Sequence, residues 1–405
     1  MKNYFAFINK TNIIFLLFSI LFLSGIIPYD ILKLRFLDEI IALITFCIFS
    51  YFLLEEEIRI NKAFIFTIIV FAFYVIYSFL KKSNTYLAIL SDAVVQFKPF
   101  IGFFCVFLLS PRLEKKHKNI FKIICFVIII YCLIVAGLCG GIITNNYNSI
   151  YSLIGHPAIF AFCITLSALV FVFSSKMNTK NTLIFFAILS IGIISGRSKF
   201  YAFYLFSILI WLYYYKKDIK IKAFDFLFFV IILIGIMIIS FEKINMYFLD
   251  DESLKIMWFN SRKVLYSVSF DIANVHFPFG NGFASFGSDA SGRFLSETYN
   301  QYNLIDKNGN LTIYISDAYF ATILGQFGYI GIALFSFFWI YILKMIYSYS
   351  LTANDKKLFI LGISIVTFFL IESFSNTTFT QNRGLEMMML LGFVLAELKQ
   401  KTLLK

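Results

Sequence analysis

The feature that most limits what this chain can fold into is a succession of strongly apolar runs, at residues 13–27, 40–54, 63–80, 94–110, 119–143, 156–175, 182–195, 200–215, 224–241, 318–343, 358–373 and 384–398. A helix needs about 20 mainly apolar residues to cross a bilayer, so runs of this length and number read as membrane helices. The composition agrees: 60% of residues are hydrophobic and only 14% are charged, which is not how a soluble core is built. The expected fold is an all-α polytopic membrane protein of about twelve transmembrane helices, with residues 1–405 as one membrane domain and both termini on the same side. The first run follows Lys2 and Lys10 as a signal sequence would, but Ser24-Gly25-Ile26-Ile27-Pro28 is not an A-x-A-like cleavage site. It reads as a retained first helix.

The formal net charge of +12 would suggest nucleic acid in a soluble protein, but here the basic residues collect in loops between apolar runs. That pattern reads as topology, with a secondary attraction to anionic lipid headgroups. With the N-terminus inside, the cytoplasmic loops hold Arg112, Lys115, Lys116 and Lys118, then Lys176 and Lys180, then Lys216, Lys217, Lys220 and Lys222, and later Lys344, Lys356 and Lys357. Lys33, Arg35, Lys81 and Lys82 depart from the pattern.

Residues 242–316 contain no apolar run long enough to span a bilayer. Roughly 75 residues exceed what a connector between packed helices needs, so this stretch reads as a long extracytoplasmic loop where chemistry or recognition takes place. Within it, Arg262-Lys263-Val-Leu-Tyr-Ser-Val-Ser-Phe-Asp271-Ile-Ala-Asn-Val has helix-like apolar spacing, which predicts a short amphipathic helix on the membrane surface.

Several chemistries are disfavoured. All six cysteines lie inside apolar runs, and Cys125, Cys132 and Cys139 recur every seven residues on one helix face, which suits packing rather than a disulfide scaffold or metal cluster. Gly280-x-Gly282 lacks the strand and helix of a dinucleotide site, and there is no P-loop. Asp250-Asp251-Glu252 reads as a solvated acidic face, since nothing completes a ligand set. No metal site and no cofactor are expected.

The basic residues of the outer side carry more information. Arg197, in Ser195-Gly196-Arg197-Ser198-Lys199, joins two runs too short to cross about 30 Å of hydrocarbon, which sinks it below the surface unless it snorkels. An arginine at membrane depth needs a polar cavity or an anionic partner. Arg262 and Lys263 have headgroup anchoring as their alternative. Asp317 opens the tenth run, and Ser316-Asp317 is also good helix-capping chemistry. His276, before Phe277-Pro278, and His156, before Pro157, have structural alternatives as turn and cap residues. Tyr299, Tyr302 and Tyr314 suit stacking on sugar rings, although interfacial aromatics need no such role. Gly325, Gly328 and Gly331 recur on one helix face, which predicts close packing.

The order of Arg262, an amphipathic segment, Pro278-Phe-Gly280-Asn-Gly282-Phe-Ala-Ser-Phe286 and Asp317-Ala-Tyr-Phe-Ala-Thr-Ile-Leu-Gly-Gln326-Phe-Gly328-Tyr-Ile-Gly331 resembles the O-antigen polymerase and O-antigen ligase superfamily. Ser195-Gly196-Arg197-Ser198 resembles the arginine turn of that family. The resemblance implies a GT-C-like, metal-independent inverting glycosyltransferase of the bacterial inner membrane that uses an undecaprenyl-diphosphate-linked glycan donor and acceptor. It implies Arg197 and Arg262 as the diphosphate-binding residues, with Lys263, His276 and Arg293 as further substrate contacts. A chain-length regulator protein is a further partner, and nucleic acid is not. Guanidinium suits diphosphate because its fork pairs with phosphate oxygens at any working pH. Ligases tend to carry histidine where this chain has Asp317, a carboxylate able to take the proton of an attacking sugar hydroxyl. That favours a polymerase over a ligase. A flippase for the same glycan is the rival class, and the absence of paired interrupted helices in the sequence weighs against it.

Overall fold

The computed structural model describes residues 9–24, 36–55, 58, 60–139, 148–220, 235 and 261–404. The expected run at 224–241, apart from Gly235, and the acidic triplet Asp250, Asp251 and Glu252 lie outside them, as do the first 19 positions of the long polar stretch, 242–260. Among the described residues the regular structure is helical, with one isolated bridge between Ile305 and Leu311.

In chain order the helices are α1 (Lys10–Ser24), α2 (Leu37–Glu55), α3 (Lys62–Lys81), α4 (Tyr86–Leu109), α5 (Lys115–Cys139), α6 (Asn148–Leu153), α7 (Pro157–Ser174), α8 (Thr179–Ile191), α9 (Ser198–Lys216) and α10 (Ser261–Val275). The short α11 (Asp289–Arg293) and α12 (Glu297–Gln301) precede α13 (Tyr319–Ala353), α14 (Lys356–Ser373) and α15 (Asn382–Leu403). Six of the described helices, α2, α3, α4, α5, α7 and α13, are long and apolar enough to cross a membrane. The chain is therefore a helical protein of multi-pass membrane type.

The apolar runs map onto these helices with one instructive shift. The run expected at 94–110 starts two turns earlier, at Tyr86, because Asp92, Gln96 and Lys98 interrupt the apolar pattern yet are buried inside the helix. Such groups persist in a membrane helix only when partnered. Lys98 donates to Asp38 and, at 2.8 Å, to Glu39 Oε1. Around α4 the bundle is tight because two glycines let α15 approach: a Cβ on Gly102 would lie 2.5 Å from Leu385, and one on Gly392 2.9 Å from Val106. Cys125 and Cys132 are buried on α5, as a packing face requires.

The polar stretch docks onto the bundle rather than lying over it. The apolar face of α10 (Leu265, Val268, Ile272) is buried with Phe286, Tyr299 and Ala321 in a small core of its own. Its hydrophobic stripe therefore covers protein, not the membrane surface that the periodicity suggested. The following turn is pinned by Asp92, whose Oδ2 accepts from Ala284 N at 2.6 Å, Ser288 Oγ at 3.0 Å and Gln326 Nε2 at 2.8 Å. The glycine row of α13 serves more than helix packing. Gly325 does pack closely, against Phe286, but Gly328 breaks the helix at φ 63° and ψ −160°. A Cβ there would stand 2.3 Å from Pro278 O, and one on Gly280 2.4 Å from Gly328 N, so the turn and the break interlock. The freed backbone groups are used: Gly282 N donates to Gln326 O at 2.7 Å and Tyr74 Oη to Phe327 O at 2.9 Å.

Candidate active site

At one end of the bundle the N-terminal ends of α7, α9, α10, α13 and α15 converge. Each presents the positive end of its dipole there, so together they favour negative charge. The side chains add to that field. Arg197 is the first flanking residue of α9, Arg262 and Arg383 are the second residues of α10 and α15, and Lys199 lies in the first turn of α9.

Arg197 is placed by the chain itself: α8 ends in a tight 3-10 turn, Gly192–Ser195, and Gly196 at φ 66° reverses the backbone into α9. Its Nη2 lies 2.7 Å from His156 Nε2 and 3.1 Å from Nδ1. Guanidinium has donors only, so a ring nitrogen that accepts from it must be unprotonated. Burial, then the charges of Arg197, Arg383 and Lys199, bring the His156 pKa down to about 4. The imidazole is neutral at any working pH. It also caps α7, accepting from Ala158 N at 3.1 Å.

Arg262 faces Asp317, with Nη2 3.7 Å from Oδ2. Burial raises the Asp317 carboxyl above the usual carboxylate range, and Arg262, Lys199 and Arg197 pull it part of the way back. Of the three residues singled out as catalytic, Arg262 and Asp317 pair directly, and Arg197, on His156, acts on the same carboxyl through its charge. The capping reading of Asp317 is corrected: α13 starts at Tyr319, its flanking residue is Ala318, and no side chain caps it. Ser316 O instead accepts from Thr377 N at 3.1 Å, which ties this strand of chain to the loop before α15.

Three expected substrate contacts stand apart. Lys263 is one residue beyond Arg262 and so turned about 100° around the helix. His276 follows the far end of α10, roughly 20 Å from Arg262 at about 1.5 Å per residue. There its Nδ1 lies 3.3 Å from Lys81 Nζ, and burial together with that ammonium lowers its pKa. Arg293 pairs with Asp289 one turn back on α11, both largely exposed, at the rim of a neighbouring cavity. Of the three tyrosines, Tyr299 is fully buried and structural: its hydroxyl meets Ser291 Oγ at 2.7 Å and Gly287 N at 2.9 Å. Tyr314 is exposed.

Sequence reasoning missed Lys199, Glu372 and Arg383. Lys199 Nζ lies 3.1 Å from Glu372 Oε2 at the end of α14, and Thr378 Oγ1 donates to the same oxygen at 2.9 Å. Arg383 lines a small pocket with Arg197, Lys199 and Glu372, and donates to Gln381. The signal was available for Arg383, which is a cation at the mouth of an apolar run just as Arg197 is. Among the described residues no group of three or more His, Cys, Asp and Glu is placed to hold a metal ion.

Compared with protein-family models and with curated proteins, the chain matches none. At this end of the bundle Arg197, Lys199, Arg262 and Arg383 stand at converging helix N-termini, with the carboxyls of Asp317 and Glu372 among them.

Proposed function

We propose that this chain is a metal-independent inverting glycosyltransferase: a polymerase that joins undecaprenyl-diphosphate-linked repeat units into O-antigen, capsular or exopolysaccharide on the outer face of the bacterial inner membrane. The observation that carries the proposal is the Arg262–Asp317 pair at 3.7 Å with Arg197 and Lys199 acting on the same carboxyl. Arg197 and Arg262 bind the diphosphate of the donor, and Lys199 and Arg383 add charge around it. The acceptor's sugar hydroxyl attacks the anomeric carbon of the donor from the face opposite the diphosphate. Its proton passes to the Asp317 carboxylate, the anomeric C–O bond to phosphate breaks, and the lipid diphosphate leaves with its new charge held by the arginines. Fixed guanidinium groups can supply this stabilisation because they cost little reorganisation as charge develops.

The proposal includes about twelve spans in a GT-C-like arrangement, both termini cytoplasmic, and residues 242–316 outside. The notion of a flippase is less favoured, because an outer segment docked firmly on the bundle through Asp92 leaves little for alternating access to move. A ligase, which attaches finished glycan to a lipid or protein acceptor, draws on His156 lying within the cluster.

The test is the surface-glycan ladder of a deletion strain. Loss of a polymerase leaves single repeat units exported and attached, so the ladder collapses to one short band. Full-length polymer stranded on the carrier lipid would assign a ligase, and unpolymerised units facing the cytoplasm a flippase.

A further inference from the structure

Beside the arginine cluster lies a cavity of about 1010 Å³, bounded by the start of α2, one face of α4, α11 and the start of α15. We infer that it holds the sugar rings of the lipid-linked substrate, while the arginine cluster holds the diphosphate. The inference rests on the glycosyltransferase reading above and assigns the glycan to a place within it.

Three observations carry it. The first is charge. The cluster around Asp317 is dominated by cations, whereas the cavity wall opposes Lys98, Arg293 and Arg383 with Asp38, Glu39, Asp92 and Asp289. A phosphate gains nothing from such a wall, but hydroxyl-rich rings do, since carboxylates accept from hydroxyls and the wall's Thr380 and Gln381 can both donate and accept. The second is an acidic pair. Asp38 and Glu39 share Lys98 and hydrogen-bond to each other. Two carboxyls that share a proton can together donate and accept, as ring hydroxyls require. The third is continuity. Arg383 lines both this cavity and the small pocket of Arg197 and Lys199, and Ser316, the residue before Asp317, lines the cavity as well. A diphosphate held by Arg197 and Arg262 thus has its first sugar directed past Arg383, with a ring hydroxyl within the neighbourhood of the carboxyl. The volume lies at the upper end of the range of about 300–1,000 Å³ usual for small-molecule sites.

The test measures binding of two probes to the full chain in nanodiscs. One is undecaprenyl diphosphate, which has no sugar. The other is the oligosaccharide released by mild acid from the producing strain's surface polysaccharide, which has neither lipid nor phosphate. Asp38→Asn alters that acidic pair, and Ser91→Trp fills the cavity from α4. Each variant is expected to weaken oligosaccharide binding by about tenfold or more while leaving undecaprenyl diphosphate binding within about twofold. Arg262→Ala is expected to do the reverse. Wild-type oligosaccharide affinity in Ser91→Trp overturns the inference, and so does failure of the unaltered chain to bind the oligosaccharide. If Asp38→Asn loses both probes through misfolding, Ser91→Trp decides. If undecaprenyl diphosphate does not bind the unaltered chain while oligosaccharide binding follows the cavity variants, the glycosyltransferase reading falls and the sugar cavity stands.

Discussion

Replacing Arg262 by glutamine removes one charge from beside Asp317 while keeping a polar side chain on α10. At 3.7 Å the guanidinium and carboxylate attract by about 4.5 kcal/mol at an effective dielectric of about 20, and by about 1 kcal/mol in bulk water. Asp317 is 37% exposed, so solvent screens the pair and the lower part of that range applies, about 1 to 2 kcal/mol. Losing that attraction disfavours the carboxylate, so the carboxyl should titrate higher in the variant. The sign follows from the causes: burial already holds Asp317 above the ordinary range, and Arg262 is the largest influence lowering it. A base must be deprotonated to act, so the acid limb of the pH–rate profile moves to higher pH. The plateau rate falls by about 10²- to 10³-fold, as for loss of one charge-stabilising donor. The assay is polymer formation from extracted lipid-linked repeat units by the protein in nanodiscs, followed across the acid range. An acid limb that stays in place while the plateau falls would show that Asp317 is not the titrating base. A wild-type plateau would remove Arg262 from the site altogether.

Asp317→Asn keeps the size of the side chain and removes its basicity. Activity should fall by about 10²- to 10⁴-fold with thermal melting unchanged, since no helix cap is lost, and a normal surface-glycan ladder would assign the residue to structure alone. Asp92→Ala strips the acceptor from Ala284 N, Ser288 Oγ and Gln326 Nε2. At about 1–3 kcal/mol for each buried donor left unsatisfied, the docked turn should loosen by several kcal/mol, read as a clear drop in melting temperature and early proteolysis between α10 and α13. Polymerisation should continue in excess chelator, because the arginines supply the leaving-group stabilisation that a divalent ion would otherwise provide. A chelator-sensitive activity restored by a divalent ion would return attention to Asp250, Asp251 and Glu252.

The amino-acid sequence by itself determined the class and most of the helices, because the demand for apolar residues over about 20 positions is local and is written in each run. It also marked Arg197, since a charge next to an apolar run stands out without knowledge of its neighbours, and it marked Arg262 and Asp317 through the resemblance of the motifs around them. What only tertiary structure decided were the partners. Asp92, Gln96 and Lys98 break the apolar pattern of α4, and their burial makes sense only once Ala284, Gln326 and Asp38 are brought to them from distant parts of the chain. The stripe on α10 reads equally well as membrane-facing or protein-facing, and the small core around Phe286 and Tyr299 chose the second. The same core removed Tyr299 from any contact with sugar. Lys263, His276 and Arg293 share charge type and neighbourhood in the chain with Arg262, but helical rotation, the length of α10 and the pairing with Asp289 set them apart from it. Asp317 resembled a cap because capping is a local pattern, whereas its place opposite Arg262 depends on α10 packing along α13. Side-chain type and short-range periodicity are properties of a segment, but which charges face each other is a property of how the helix ends converge.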